Sequence, residues 1–222
     1  MLICQCTQKN IIRTKYINVY YMLRIKIIRH SERFDYKYPI FWLLYFGHYW
    51  ADSPLTTYGH TMAYKKGIQI YSKEDEYEPS FIYTSPYTRT MATSTEIKKS
   101  FPKSEIIIEP LLSEYQPNIK HCISLYPLGI PTVCNGEKTK FEYPETYSDF
   151  RKRVKFIIYK LIEKNNCDFM VITHGEVLNV FIKHLKKSCS LPNIDSVPYL
   201  TTLSFLFDKK SNSIISESVI IE

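Results

Sequence analysis

The amino-acid sequence predicts an α/β fold, a three-layer sandwich with a mostly parallel central sheet flanked by helices. Three observations carry this expectation. Short apolar runs alternate along the chain with longer stretches of helical periodicity, which is the pattern of a sheet wrapped by helices. One of those stretches, around Phe150, Val154, Ile157, Ile158 and Leu161, repeats its apolar residues at clear helical spacing. Two of the apolar runs stop abruptly at Arg29-His30 and Thr173-His174. That puts both histidines at C-terminal strand ends, where ligands bind in such sheets.

Taken in order, residues 1–22 precede the first apolar run and read as an extension or a disordered arm, leaving 23–222 as one domain. Residues 23–28 form a short buried strand. The aromatic-rich segment 34–50 reads as a loop. Residues 57–71 carry Met62, Ala63, Ile68 and Ile70 and read as a helix capped by Thr56 or Thr57. A strand follows at 81–84, a helix at 88–99 and a strand at 106–109. Residues 115–143 contain prolines and glycines without a sustained period and read as loop or lid. The helix at 148–165 has Asp149 in its first turn, favourable to the helix dipole. A buried strand at 168–173 runs into a helix ending near Lys187, and 201–207 with 213–221 read as a closing hairpin around 208–212.

Composition narrows the class. The chain has 222 residues, 45% apolar and 23% charged, ordinary for a globular protein. It has no run of about eighteen apolar residues, and residues 1–10 lack a signal-peptide core. A cytoplasmic location is the expectation. The six cysteines, at positions 4, 6, 122, 134, 167 and 189, form no Cys-x-x-Cys pair, so thiols are expected rather than a zinc or disulfide framework. A net charge of +7 suits an anionic substrate, but the basic residues are spread along the chain, which gives no footprint for nucleic acid. His48, His60, His121 and His184 have no metal-ligand spacing.

The chemistry is concentrated at Arg29-His30-Ser31-Glu32-Arg33. Guanidinium forks match phosphate oxygens, and a neutral imidazole is a competent nucleophile toward phosphorus. Downstream lie Asp52-Ser53-Pro54-Leu55-Thr56-Thr57-Tyr58-Gly59, then Tyr83-Thr84-Ser85-Pro86-Tyr87-Thr88-Arg89, then Glu109-Pro110-Leu111-Leu112-Ser113-Glu114, and finally Val171-Ile172-Thr173-His174-Gly175-Glu176. In this order, over residues 23–207, these segments resemble the histidine phosphatase superfamily, the phosphoglycerate-mutase-like family. Within it, Arg-His-Ser-Glu-Arg-Phe-Asp is most similar to the phosphatase domain of the suppressors of T-cell receptor signalling and to the ecdysteroid-phosphate phosphatases.

The resemblance implies a phosphoglycerate-mutase-like fold and a set of roles. His30 would be the nucleophile that forms a phosphohistidine. Arg29, Arg33, Arg89 and His174 would clamp the phosphate. Glu114 would be the general acid, with Glu109 and Glu176 as competing carboxylates. No metal and no cofactor are implied, and the substrate would be a phosphorylated small molecule or a phosphoprotein. A homodimer is left open, and no nucleic-acid or membrane partner is expected. Asp52 to Thr56 and Gly59 would set a tight turn and a helix start. Ser31 stands where most members have glycine, and Gly175 stands where the acid-phosphatase branch has aspartate.

The stretch from Glu114 to His174 is shorter than the long insertion of the mutases, and aromatics at 41–50 replace a mutase element. Both favour hydrolysis of phosphotyrosine or a bulky apolar phosphoester. Those aromatics read equally well as core packing or as a wall for such a substrate. The alternatives are a sugar-phosphate phosphatase or phosphoglycerate mutase, and an inactive domain that binds phosphorylated ligands.

Overall fold

The computed structural model describes residues 22–47, 52–73, 77–117 and 144–222. Residues 1–21 of the expected extension, His48, Tyr49, Trp50 and most of the expected lid lie outside these, as do His121 and the cysteines at 4, 6, 122 and 134; Met22, expected in the extension, instead opens the first strand. Among the described residues seven strands form one sheet: β1 (Met22–Arg29), β2 (Phe81–Thr84), β3 (Glu105–Ile108), β4 (Phe169–Thr173), β5 (Thr202–Asp208), β6 (Ser213–Ile214) and β7 (Ile220–Ile221). Their order is β3-β2-β4-β1-β5-β6, with β7 also on β5. The ladder is parallel from β3 to β1, and β5 to β7 close it antiparallel.

Register explains the layers. In β1, Ile25 and Ile27 face one side of the sheet and Ile28 the other; in β4, Phe169 and Val171 alternate with Met170 and Ile172. One face packs under α5 (Tyr147–Lys164) and α6 (Gly175–Leu185) through Phe150, Ile157, Val177 and Phe181. The other packs under α3 (Thr57–Lys73) and α4 (Thr88–Lys98) through Ile70 and Ile97. Helix, sheet and helix make the three layers predicted. Thr56 is the cap of α3, its hydroxyl accepting from Gly59 N at 2.8 Å. Gly59 is required there, because a Cβ would lie 2.6 Å from the carbonyl of Glu32.

Two expectations are corrected. The segment after Arg33 is not a loop in its described part: α1 (Phe34–Lys37), α2 (Pro39–Trp42) and a π turn (Leu43–Gly47) follow one another. Pro39 at the first helical position starts α2, α1 is a single turn, and the run from Pro39 to Gly47, apolar on every side, shows no period to read. Its side chains do not fill the core either, since Phe41 and Tyr45 are 59% and 65% exposed. The closing hairpin is split, with a 3-10 turn at Ser216–Ser218 separating β6 from β7. Among the described residues no helix is long and apolar enough to cross a membrane.

Candidate active site

The parallel ladder brings three chain corners to one edge. Arg29 pairs with Thr173 in register, and Thr84 pairs with Ile172, so His30, His174 and Ser85 leave adjacent strands side by side. The ladder continues one step past the strand ends: His30 N donates to Thr173 O at 2.8 Å, and Ser85 N to Ile172 O at 3.1 Å.

His30 is 1% exposed. Its Nδ1 lies 2.8 Å from the carbonyl oxygen of Ser31. A carbonyl only accepts, so Nδ1 carries the proton and Nε2 keeps its lone pair. Burial, then the charge of Arg89, hold His30 well below the ordinary imidazole range, with Arg29 and Arg33 adding to the effect. Ser31 takes up the glycine position without strain, its hydroxyl donating to Gly59 O at 2.7 Å and its amide to Thr93 Oγ1 at 3.1 Å.

The ring of His174 lies 5.4 Å from that of His30. A guanidinium can only donate, so Arg89 Nη2 at 3.3 Å makes His174 Nδ1 an acceptor. Nε2 therefore carries the proton toward Ser85 Oγ at 2.8 Å. Burial and then Arg89 also keep His174 well below the usual imidazole range.

Arg89 is the hub. From the first turn of α4, 1% exposed, it reaches Asp52 through Nη1 at 3.1 Å and Glu114 through Nη2. The ring of Tyr87 lies 4.2 Å from its guanidinium carbon. Arg29 lies over the ring of Tyr199 at 4.4 Å and donates through Nη1 to Val197 O. Gly175 permits this, since a Cβ there would sit 3.1 Å from Arg29 Nε. Among the described residues, the Nε atoms of Arg29 and Arg89 are buried with no hydrogen-bond partner, which leaves two donors for an anion.

Arg33 is placed differently from the expectation of a plain phosphate clamp. Its Nε donates to Asp35 Oδ1 at 2.9 Å and its Nη2 to Oδ2, while the guanidinium stacks over Tyr36 at 4.3 Å. It stays close enough to bias His30 electrostatically. An acid two residues away captures its fork, a local pairing that the motif does not reveal.

The three candidate carboxylates separate. Glu109 accepts from Leu111 N at 3.0 Å and caps the 3-10 turn Pro110–Leu112. Glu176 accepts from Tyr147 Oη at 2.9 Å at the rim. Glu114 joins Arg89, and its Oε2 lies 3.8 Å from His174 Nδ1. It is one-third exposed and lines an open cleft of about 250 Å³ with Arg29, Glu176 and Asn179. The Glu114 backbone is set by Arg153, fully buried on α5, which donates to the carbonyls of Leu111, Ser113 and Glu114 and pairs with buried Glu145.

Asp52, Ser85, Tyr87, Arg153 and Tyr199 thus hold the site together, though only Asp52 stood out in sequence, and then as a turn residue. Asp52 instead accepts from Thr88 N and Oγ1, both at 2.7 Å, and from Arg89. Burial pushes its carboxyl up, against the opposing pull of Thr88 and Arg89. A usable signal existed for Arg153, a cation on the apolar stripe of its helix. His60 and His184 stand apart from the site, against Glu96 and Tyr159.

Comparison with known proteins identifies the family and the fold. The model of the histidine phosphatase superfamily (branch 1) matches residues 47–205, a stretch that begins after His30. An uncharacterized phosphoglycerate mutase family protein of Acanthamoeba polyphaga mimivirus is 58% identical over 203 residues, covering 90% of this chain and 98% of that one. Among solved structures, a phosphoglycerate mutase from Bacillus anthracis superposes with a TM-score of 0.60 at 17% identity, over 90% of this chain and 93% of that one. An ecdysone phosphate phosphatase from Bombyx mori, in complex with tungstate, gives 0.58 at 21% identity over 89% and 93%. At these identities the two structures establish a shared fold.

Proposed function

The chain belongs to the histidine phosphatase superfamily, and from that premise we propose that it is a phosphomonoester hydrolase working through a phosphohistidine on His30. The observation that supports this best is the protonation pattern of the site. His30 holds its proton on Nδ1, against Ser31 O, which leaves Nε2 unprotonated, with the ring of His174 5.4 Å away. Neutral imidazole is the attacking form, and the surrounding cations disfavour the other.

In this reading Nε2 attacks phosphorus in line, a P–N bond forms and the P–O bond to the leaving group breaks. Arg29 and Arg89, with Arg33 at the edge, hold charge on the equatorial oxygens, and His174 joins them in its Nδ1–H tautomer, Nε2 then accepting from the Ser85 hydroxyl. A bound phosphoryl group takes the Arg89 donors and releases Glu114, which takes a proton from the entering phosphate monoanion and passes it to the leaving oxygen. Glu114 then draws a proton from water, whose oxygen attacks phosphorus and returns His30. Nothing in this cycle requires a metal or an organic cofactor.

For substrate we favour phosphotyrosine or a bulky apolar phosphoester, on a small molecule or a phosphoprotein in the cytoplasm. Tyr36 and Tyr199 flank the arginines, and the exposed apolar helices begin directly after Arg33. The rival is phosphoglycerate or another sugar phosphate, favoured by the family of the mimivirus relative.

Hydrolysis of p-nitrophenyl phosphate, a phosphotyrosine peptide and 3-phosphoglycerate, with EDTA present, tests both parts. The expected outcome is turnover of the two aryl esters above 3-phosphoglycerate, lost in His30→Ala. A reversed ranking selects the rival, and turnover surviving in His30→Ala rejects the nucleophile.

A further inference from the structure

On the helical layer away from α3 and α4, α5 and α6 turn basic side chains toward each other across a hollow that the catalytic site does not use. Arg151 and Lys155 of α5 meet Lys183 and His184 of α6, with Lys187 just beyond its end, around a cavity of about 190 Å³. Among the described residues, none of these four lysine and arginine side chains makes an ion pair. The nearby acceptors are already in use. Asp149 pairs with Lys152, Asn193 with Lys186, and Glu176 at the rim accepts from Tyr147. Glu163 lines a neighbouring hollow that shares Lys155 and His184.

Lysines on a convex surface diverge into water and need no partner. Here, four permanent cations on two packed helices line one concavity, Lys155 half-buried and the other three exposed at its edge, so that their fields add where an anion would sit. His184 senses this field: burial, then Lys155 and Lys187, push its imidazole below the usual range. A single phosphate dianion would balance only part of the charge. Glu176 and Asn179 belong to the catalytic cleft. Lys183 stands seven residues beyond Glu176 on α6, about 10 Å along the axis.

We propose that the α5/α6 hollow is a second anion site, separate from the catalytic cleft, which takes a compact ligand bearing two or more phosphate groups, either free in solution or on a lipid headgroup.

Calorimetric titration of inorganic tripolyphosphate into the full chain tests this, in a His30→Ala background so that nothing is turned over. The expected result is two bound equivalents, falling to one when Lys155→Glu and Lys187→Glu are added. Arg89→Ala should remove the other equivalent. An unchanged stoichiometry in the lysine variant overturns the proposal. Lys155→Gln with Lys187→Gln guards against misfolding, since relief of repulsion should leave its melting temperature equal to or above that of the parent. It should also weaken the second equivalent by roughly tenfold or more.

In otherwise wild-type protein the lysine substitutions should leave hydrolysis of p-nitrophenyl phosphate unchanged. Sedimentation with vesicles of phosphatidylinositol 4,5-bisphosphate, against phosphatidylserine at equal charge, separates the two sources. Selective capture by the bisphosphate vesicles supports the headgroup, and soluble binding alone supports the free ligand. Failure of both, or equal capture by phosphatidylserine, overturns the site.

Discussion

His30 and His174 are two buried imidazoles that feel the charge of one arginine, Arg89, and both are held neutral by burial and by that charge. Two consequences follow at this scale. Because the attacking form is the neutral one, kcat/KM should persist as pH falls below about 6.5, the ordinary histidine value. An acid limb from imidazole at or above that value would contradict the placement. For stability the sign is the same. The unfolded chain binds more protons than the folded one between the depressed folded value and about 6.5. The contribution is therefore complete above about 6.5 and is lost as pH falls toward the folded value. Denaturant unfolding across this range should show that loss, and His30→Ala should reduce its slope. Glu114 carries the complementary prediction. Glu114→Gln keeps the contact with Arg89 but has no acid proton to give. Hydrolysis of an alkyl phosphate should fall by roughly 10²–10⁴-fold, and that of p-nitrophenyl phosphate much less. Equal losses on both would remove Glu114 from the acid role.

At the scale of elements, the site depends on contacts between pieces far apart in the chain. The start of α4 is fixed by Asp52, and the turn carrying Glu114 is fixed by Arg153 on α5. Breaking one half of the Arg153–Glu145 pair leaves a buried charge unpaired. Arg153→Leu should therefore cost about 3–5 kcal/mol in a denaturant titration. The double change Arg153→Leu with Glu145→Leu should recover part of that loss, because no lone charge remains. Identical stabilities would show that the pair is not the cause.

These contacts also mark where sequence reading stops. Strands ending at His30 and His174 are legible because an apolar run stops at a polar residue. α3, α5 and α6 are legible because their caps and spacing are local. The pairing of Arg89 with Asp52 spans 37 positions, and no local pattern encodes it. The helices after Arg33 escape for the opposite reason: α1 is a single turn, and the apolar run from Pro39 to Gly47 has no polar face from which to read a period.

At the scale of the whole molecule, one sheet order explains why these residues meet. β2, β4 and β1 are adjacent and parallel, so three corners distant in sequence open onto a single edge, with α4 and α6 beginning there. The order β3-β2-β4-β1-β5 could not be read from the chain alone, although the antiparallel hairpin that closes it could. The alternation of elements gave the layers, whereas strand neighbours depend on contacts between sheet partners such as Ile25 and Phe169. The account as a whole stands on one transient bond. The most direct measurement is a rapid quench of enzyme with a phosphomonoester labelled at phosphorus, kept alkaline and followed by peptide mapping. The account predicts acid-labile label on the peptide containing His30, appearing before free phosphate and absent from His30→Ala. Steady turnover with no label on protein, or label on another residue, would contradict it.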